Sequence, residues 1–100
     1  MLFRSFHAQQ CAEKYLKALL VAHGHAFPRT HDLVALHDLC MQAALPVRIE
    51  SDQLERLNAY AVQVRYSGDD PTLEEAHEAV GIAQGVRRWV RAVFRSLSKE

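Results

Sequence analysis

The segment FPRTHDL, residues 27–33, places a guanidinium at Arg29, an imidazole at His31 and a carboxylate at Asp32. A guanidinium and an imidazole beside the free N–H groups of a helix start could clamp a phosphate. The same residues also suffice to begin a helix. Thr30 is a plausible N-cap, and Asp32 in the first turn complements the helix dipole. Spacing leaves both readings open, and the plain helix start is the simpler one.

Other polar groups carry the same ambiguity. Asn58 and Arg65 lie seven apart on one side of a helical segment, with Tyr66 next. Arg65 either compensates a helix dipole or reaches a phosphate or carboxylate in a groove. His7, Gln10, Lys14 and Lys17 recur at steps of three and four, which reads as a solvated polar face. Its functional version is a weak electrostatic contact to nucleotide or RNA. Arg87, Arg88, Arg91, Arg95 and Lys99 follow Glu74, Glu75 and Glu78 along one helical pattern. Acid first and base last complements a dipole, and the basic end is also a potential phosphate patch.

Six histidines raise the question of a metal. His23, His25, His31 and His37 cluster only loosely, and neither HExxH nor Cys-x-x-Cys occurs. Zinc needs three or four convergent ligands, so neither a metal nor a cofactor is expected. There is no glycine-rich phosphate loop and no Gly-x-Ser-x-Gly, and no carboxylate pair stands out as acid and base. Trp89, beside an apolar stripe, reads as packing.

The bulk numbers set the frame for these groups. A chain of 100 residues is one domain, 1–100. At this size folding buries roughly 60–70% of the unfolded surface, enough for one small core. Twelve basic and twelve acidic side chains cancel, which argues against a dedicated nucleic-acid coat protein but allows a local patch. Cys11 and Cys40 sit in apolar helical patterns and suit a reducing compartment. No secretory signal is evident, and the longest apolar stretch, ALLVA, is far short of the ~20 residues that span a bilayer. The chain reads as cytoplasmic, with no membrane partner.

No period-two alternation is long enough for a strand, and nearly every segment fits 3.6. The first helix is expected from about Leu2 to Ala22, with Ala8, Cys11, Ala12, Tyr15, Leu16 and Leu19 on one face and Gly24 as its stop. A second is expected from near His31 to near Ala44, with Leu33, Leu36, His37 and Cys40 inside. A third starts after Ser51 and ends around Tyr66, burying Leu54, Leu57, Ala61 and Val64. Residues 67–71, SGDDP, form a turn-rich linker. The fourth opens with a Thr72–Glu75 capping box. Leu73, Ala76, Val80, Ala83, Val86, Val90, Val93 and Leu97 then hold one stripe for about seven turns. Gly81 and Gly85, four apart, would let another helix approach closely. The expected fold is all-α, an up-and-down antiparallel helical bundle of about four helices.

The stretches FHAQQCAEKYLKALLVAHG, FPRTHDLVAL, LNAYAVQVRY and TLEEAHEAVGIAQGVRRWV, in this order and with these gaps, resemble the HEPN family, the higher-eukaryote and prokaryote nucleotide-binding domain. The resemblance runs from about Phe6 to Val93. It implies a helical bundle that is often a homodimer. Prokaryotic members often stand beside a minimal nucleotidyltransferase in toxin–antitoxin pairs; some members are metal-independent ribonucleases, and others bind nucleotides or act as scaffolds. By position, His31 and Asp32 match the family's THDL helix start, Arg65 and Tyr66 its RY, and Phe6, Gln9, Gln10, Glu13 and Lys14 its first motif. All of these matched residues are site candidates by resemblance; the residues assigned to nucleotide or phosphate are Gln10, Lys14, Arg29, His31, Asp32, Arg65 and Tyr66, with Tyr60 as an alternative stacking or hydrogen-bonding group.

Two departures shape the functional reading. The ribonuclease branch carries an Arg and then a His after four to six intervening residues. Here the next His after Arg65 is His77, beyond the linker, and Arg29 is too close to His31. Family members also usually carry one further helix before FHAQQ. Here only a few residues precede FHAQQ, so the start is expected to be either clipped or misassigned or to lack that helix; its absence is expected to expose an apolar groove and to favour a homodimer or a heteromeric complex. The leading reading is a nucleotide- or RNA-phosphate-binding module acting with a nucleotidyltransferase partner. The alternatives are a ribonuclease toxin using Arg65 with His31 or His77, and a non-catalytic dimerisation or scaffold module.

Overall fold

A computed structural model describes residues 4–45, 49–62 and 72–98, with side chains for 7–45, 49–60 and 72–96. The expected positions Val64, Arg65 and Tyr66, the linker 67–71 and Lys99 lie outside the described residues, as do the side chains of Phe6, Ala61 and Leu97. Four helices are described, and no strand is present among these residues: α1 Arg4–Ala22, α2 Leu33–Gln42, α3 Ser51–Val62 and α4 Leu73–Ser98. The chain is an all-α helical bundle, as its 3.6-residue periodicity requires.

Helix α1 is the centre of the bundle. It packs against each of the other three, most extensively against α4, while the backbones of α2 and α4 do not approach each other closely among the described residues. Its Ala8, Ala12, Leu16, Leu19 and Leu20 are buried against Leu33, Leu36, Leu54, Leu57, Val86 and Val90. The helix stops at Gly24, whose φ of 78° turns the chain back so that the His25 N–H reaches the Leu20 carbonyl at 2.9 Å. Only glycine adopts that left-handed turn without a Cβ penalty.

Helix α2 starts two residues later than the sequence suggests, because Asp32 rather than Thr30 is its cap. Asp32 has extended backbone, and its carboxylate accepts from the Val34 N–H at 3.0 Å. The Thr30 hydroxyl instead accepts from the Asp32 N–H at 3.1 Å. The expected inner face holds, with Leu33, Leu36, His37 and Cys40 all buried. His37 donates from Nε2 to the Ile49 carbonyl at 2.8 Å, which satisfies one polar edge of an otherwise apolar face.

Helix α4 opens on the expected capping box. Thr72 N–H donates to Glu75 at 2.8 Å, and Glu75 N–H donates to the Thr72 hydroxyl at 3.1 Å. Trp89 is buried with Val86, Val90 and Val93, as packing requires. Two expectations for this helix fail. Leu73 is 54% exposed, because the capping turn stands in solvent and burial begins at Ala76. Nor, among the described residues, does a helix approach the glycines: a Cβ at Gly81 would meet nothing within 4 Å, and one at Gly85 only the Ile49 side chain at 3.7 Å.

Candidate functional site

The polar side chains that matter most are set by a step of four along α1. Gln9, Glu13 and Lys17 share one side of the helix, turned toward the loop that leads into α2. Gln9 Nε2 donates to the His31 carbonyl at 2.6 Å. Glu13 accepts from His31 Nδ1 at 2.9 Å through one oxygen and from Lys17 Nζ at 3.0 Å through the other. Gln9 and Glu13 are buried, so both hold His31 from beneath. The His31 side chain itself is 76% exposed. With Nδ1 held by the carboxylate, Nε2 keeps no partner among the described residues.

Burial alone would push the Glu13 carboxyl up, but the hydrogen bonds from Lys17 and His31 outweigh it and hold the group below its ordinary range. Lys17 was expected on a solvated face. Its side chain is only 17% exposed, and its ammonium sits 5.1 Å from the centre of the Phe27 ring, a cation–π distance. The pairing with Glu13 is what pulls it out of solvent.

Asp32 has a different task. The oxygen that caps α2 also accepts from Asn58 Nδ2 at 2.8 Å. Asn58 returns the contact by accepting from the Leu33 N–H at 3.2 Å. Two N–H groups at the start of α2 are therefore occupied, and a carboxylate sits over that end. A phosphate cannot use these donors as the helix-start geometry suggested. Any anion binding on this segment falls to His31 and Arg29. Arg29 is exposed and has no ion-pair partner among the described residues.

The remaining expected residues are dispersed. Gln10 and Lys14 lie exposed on the neighbouring side of α1, without a hydrogen bond or ion pair among the described residues. His77 is exposed on α4. Tyr60 is half-buried and donates its hydroxyl to Glu78 at 3.0 Å, and Arg56 pairs with the same carboxylate at 2.8 Å. Burial and the Glu78 hydrogen bond raise the Tyr60 hydroxyl above its usual range, and Arg56 with Tyr60 lowers Glu78. This pair fastens α3 to α4. Arg65 and Tyr66 lie outside the described residues. The family resemblance puts Gln9 and Glu13 among the site candidates, which spacing alone does not, and neither identifies Asn58 as the clamp on Asp32. The step from Gln9 to Glu13 to Lys17 was the available signal for the first two.

Among the described residues no group of three or more His, Cys, Asp or Glu could hold a metal ion. No helix among them is long and apolar enough to cross a membrane. A family model for the HEPN domain matches residues 3–93. No curated protein and no solved structure matches the chain.

Proposed function

The chain belongs to the HEPN domain family, and from that premise we propose that it binds the phosphate of a nucleotide or RNA and acts with a nucleotidyltransferase partner in a toxin–antitoxin-like pair. The HEPN domain is a nucleotide-binding or ribonuclease-like module. The observation that carries the reading is His31. Glu13 fixes one nitrogen of its ring, and the other edge is open to solvent two residues from the unpaired Arg29. A fixed imidazole and an exposed guanidinium are both phosphate-recognising groups, and neither depends on the capped helix end. Arg65 and Tyr66, matched to the family by position, would add a second guanidinium and a stacking ring. The module works in the cytoplasm, as a homodimer or within a heteromeric complex. The test is the affinity of the chain for ATP and for a short single-stranded RNA, alongside His31→Ala and Arg65→Ala. Both variants should bind more weakly, and unchanged affinity in both would refute the assignment.

One observation favours a second reading, a metal-independent ribonuclease. A histidine oriented by a carboxylate is a suitable general acid or base for 2′-hydroxyl attack. The absent Arg–His spacing stands against it. RNA turnover that disappears in His31→Ala would establish it, and no turnover by the native chain would remove it.

A further inference from the structure

A trough runs between α1 and α4, and none of the residues around His31 lines it. Its floor is apolar, made by Ala8 and Cys11 of α1 and by Val80 and Ala83 of α4, with His7 also lining it, and it encloses about 420 Å³. Gln84 and Arg87 close one end. The same two residues begin a second hollow of about 310 Å³, completed by Arg88 and Arg91. The two hollows thus adjoin across Gln84 and Arg87, one apolar and one cationic.

The arginine end is not balanced from within. Arg87, Arg88 and Arg91 are exposed and have no carboxylate partner among the described residues. The acidic start of α4 does not reach them. Glu78 is nine residues before Arg87, about 13 Å along the helix axis. That exceeds the screening length of about 8–10 Å at ordinary salt. Glu78 is also already engaged by Arg56 and Tyr60. Three guanidiniums crowded into one hollow repel each other until an anion joins them. Guanidiniums suit phosphate oxygens, which they meet with paired parallel hydrogen bonds. The adjoining apolar hollow is within the size range of small-ligand sites and suits a flat, weakly polar ring.

We propose that this trough binds a nucleoside phosphate, with the base on the Ala8, Cys11, Val80 and Ala83 floor and the phosphates on Arg87, Arg88 and Arg91. Gln84, at the junction, has the amide needed to read a base edge. Arg91 stands one turn beyond Arg87, about 6 Å further on. A monophosphate therefore engages chiefly the near arginine, and a polyphosphate or a continuing RNA strand reaches the far one. The proposal rests on the nucleotide-binding reading above and adds a site separate from His31.

Cys11 lies in the trough floor and is half-buried, whereas Cys40 is fully buried in the core. The rate at which N-ethylmaleimide alkylates Cys11 in the native chain is therefore a direct footprint, with Cys40 as an internal reference. At about ten times its dissociation constant, ATP should slow that rate by about tenfold, as mass action requires. AMP should protect less at the same concentration. Arg88→Ala/Arg91→Ala should lose the protection, and His31→Ala should keep it. Protection by a short single-stranded RNA but not by ATP identifies a strand as the source of the nucleoside phosphate and supports the same site. If ATP or RNA perturbs His31 while Cys11 reacts at its unliganded rate, the trough proposal fails and the His31 reading stands. If Cys11 is protected with no effect at His31, the trough proposal stands and the His31 reading fails. If neither residue responds to either probe, both fail.

Discussion

The Glu13 carboxylate and the His31 imidazole meet at 2.9 Å across the α1–loop junction, the carboxylate buried and the ring open to solvent. This contact makes α1 the foundation of the candidate site and leaves the histidine fixed on one edge only. Its consequences separate a positioned functional histidine from one that merely decorates a loop.

Replacing Glu13 should do more than remove a surface charge. Glu13→Ala frees Lys17 and His31 together, and loss of charge-assisted hydrogen bonds of this kind costs about 1–3 kcal/mol. Urea denaturation should show that loss. Phosphate affinity should fall as well, because the ring is no longer held.

Acid should reveal the same group. The folded Glu13 carboxyl lies below its unfolded value, so its stabilisation is complete above the ordinary value of 4.5 and is lost as pH falls from there through the folded value. Native and Glu13→Gln chains should therefore differ in urea midpoint at neutral pH and converge in acid. A difference that stays constant with pH would contradict the pairing. Glu78, also lowered, titrates in both chains and cancels in the comparison.

The start of α2 should depend on Asp32 rather than Thr30. Asp32→Ala removes the cap and the Asn58 contact together, and lost caps cost about 0.5–2 kcal/mol. Thr30→Ala should cost less. Asp32→Ala and Asn58→Ala should be non-additive in a double-mutant cycle, since the two residues share one hydrogen-bonded unit. Additive losses would mean that α2 and α3 are fastened elsewhere.

The two cysteines should react very differently. Burial pushes the Cys40 thiol up to about 11, and the side chain is fully enclosed, so it should resist a thiol reagent until the chain unfolds. Cys11 should react in the native state. Mass spectrometry after brief labelling distinguishes one modified thiol from two.

Much of the fold is legible in the residues. Period 3.6 marks the four helices, and Thr72 with Glu75 marks the start of α4 to the residue. The cap of α2 is not decided locally, because Thr30 and Asp32 are both good cap residues in isolation. The choice is made by Asn58, 26 residues away from Asp32, which no local rule can see. The exposure of Leu73 has a similar origin: periodicity places it on the apolar face but does not say where the neighbouring helices end. The site is legible only in fragments. His31 stands out as a residue type, whereas its partner Glu13 looks like any helical carboxylate until the loop folds back onto α1. The arginines of α4 are visible as a dipole-compensating run, and their junction with an apolar hollow exists only once Ala8 and Cys11 are packed against Val80 and Ala83.

The most direct test of the central claim is an NMR titration of the labelled chain with ATP and then with a short single-stranded RNA, following the His31 ring and the Arg29 side chain in the native protein and in Glu13→Ala. Saturable shifts at both residues, weakened in the variant, are the predicted result. No shift at either residue with millimolar ligand would contradict phosphate binding at His31.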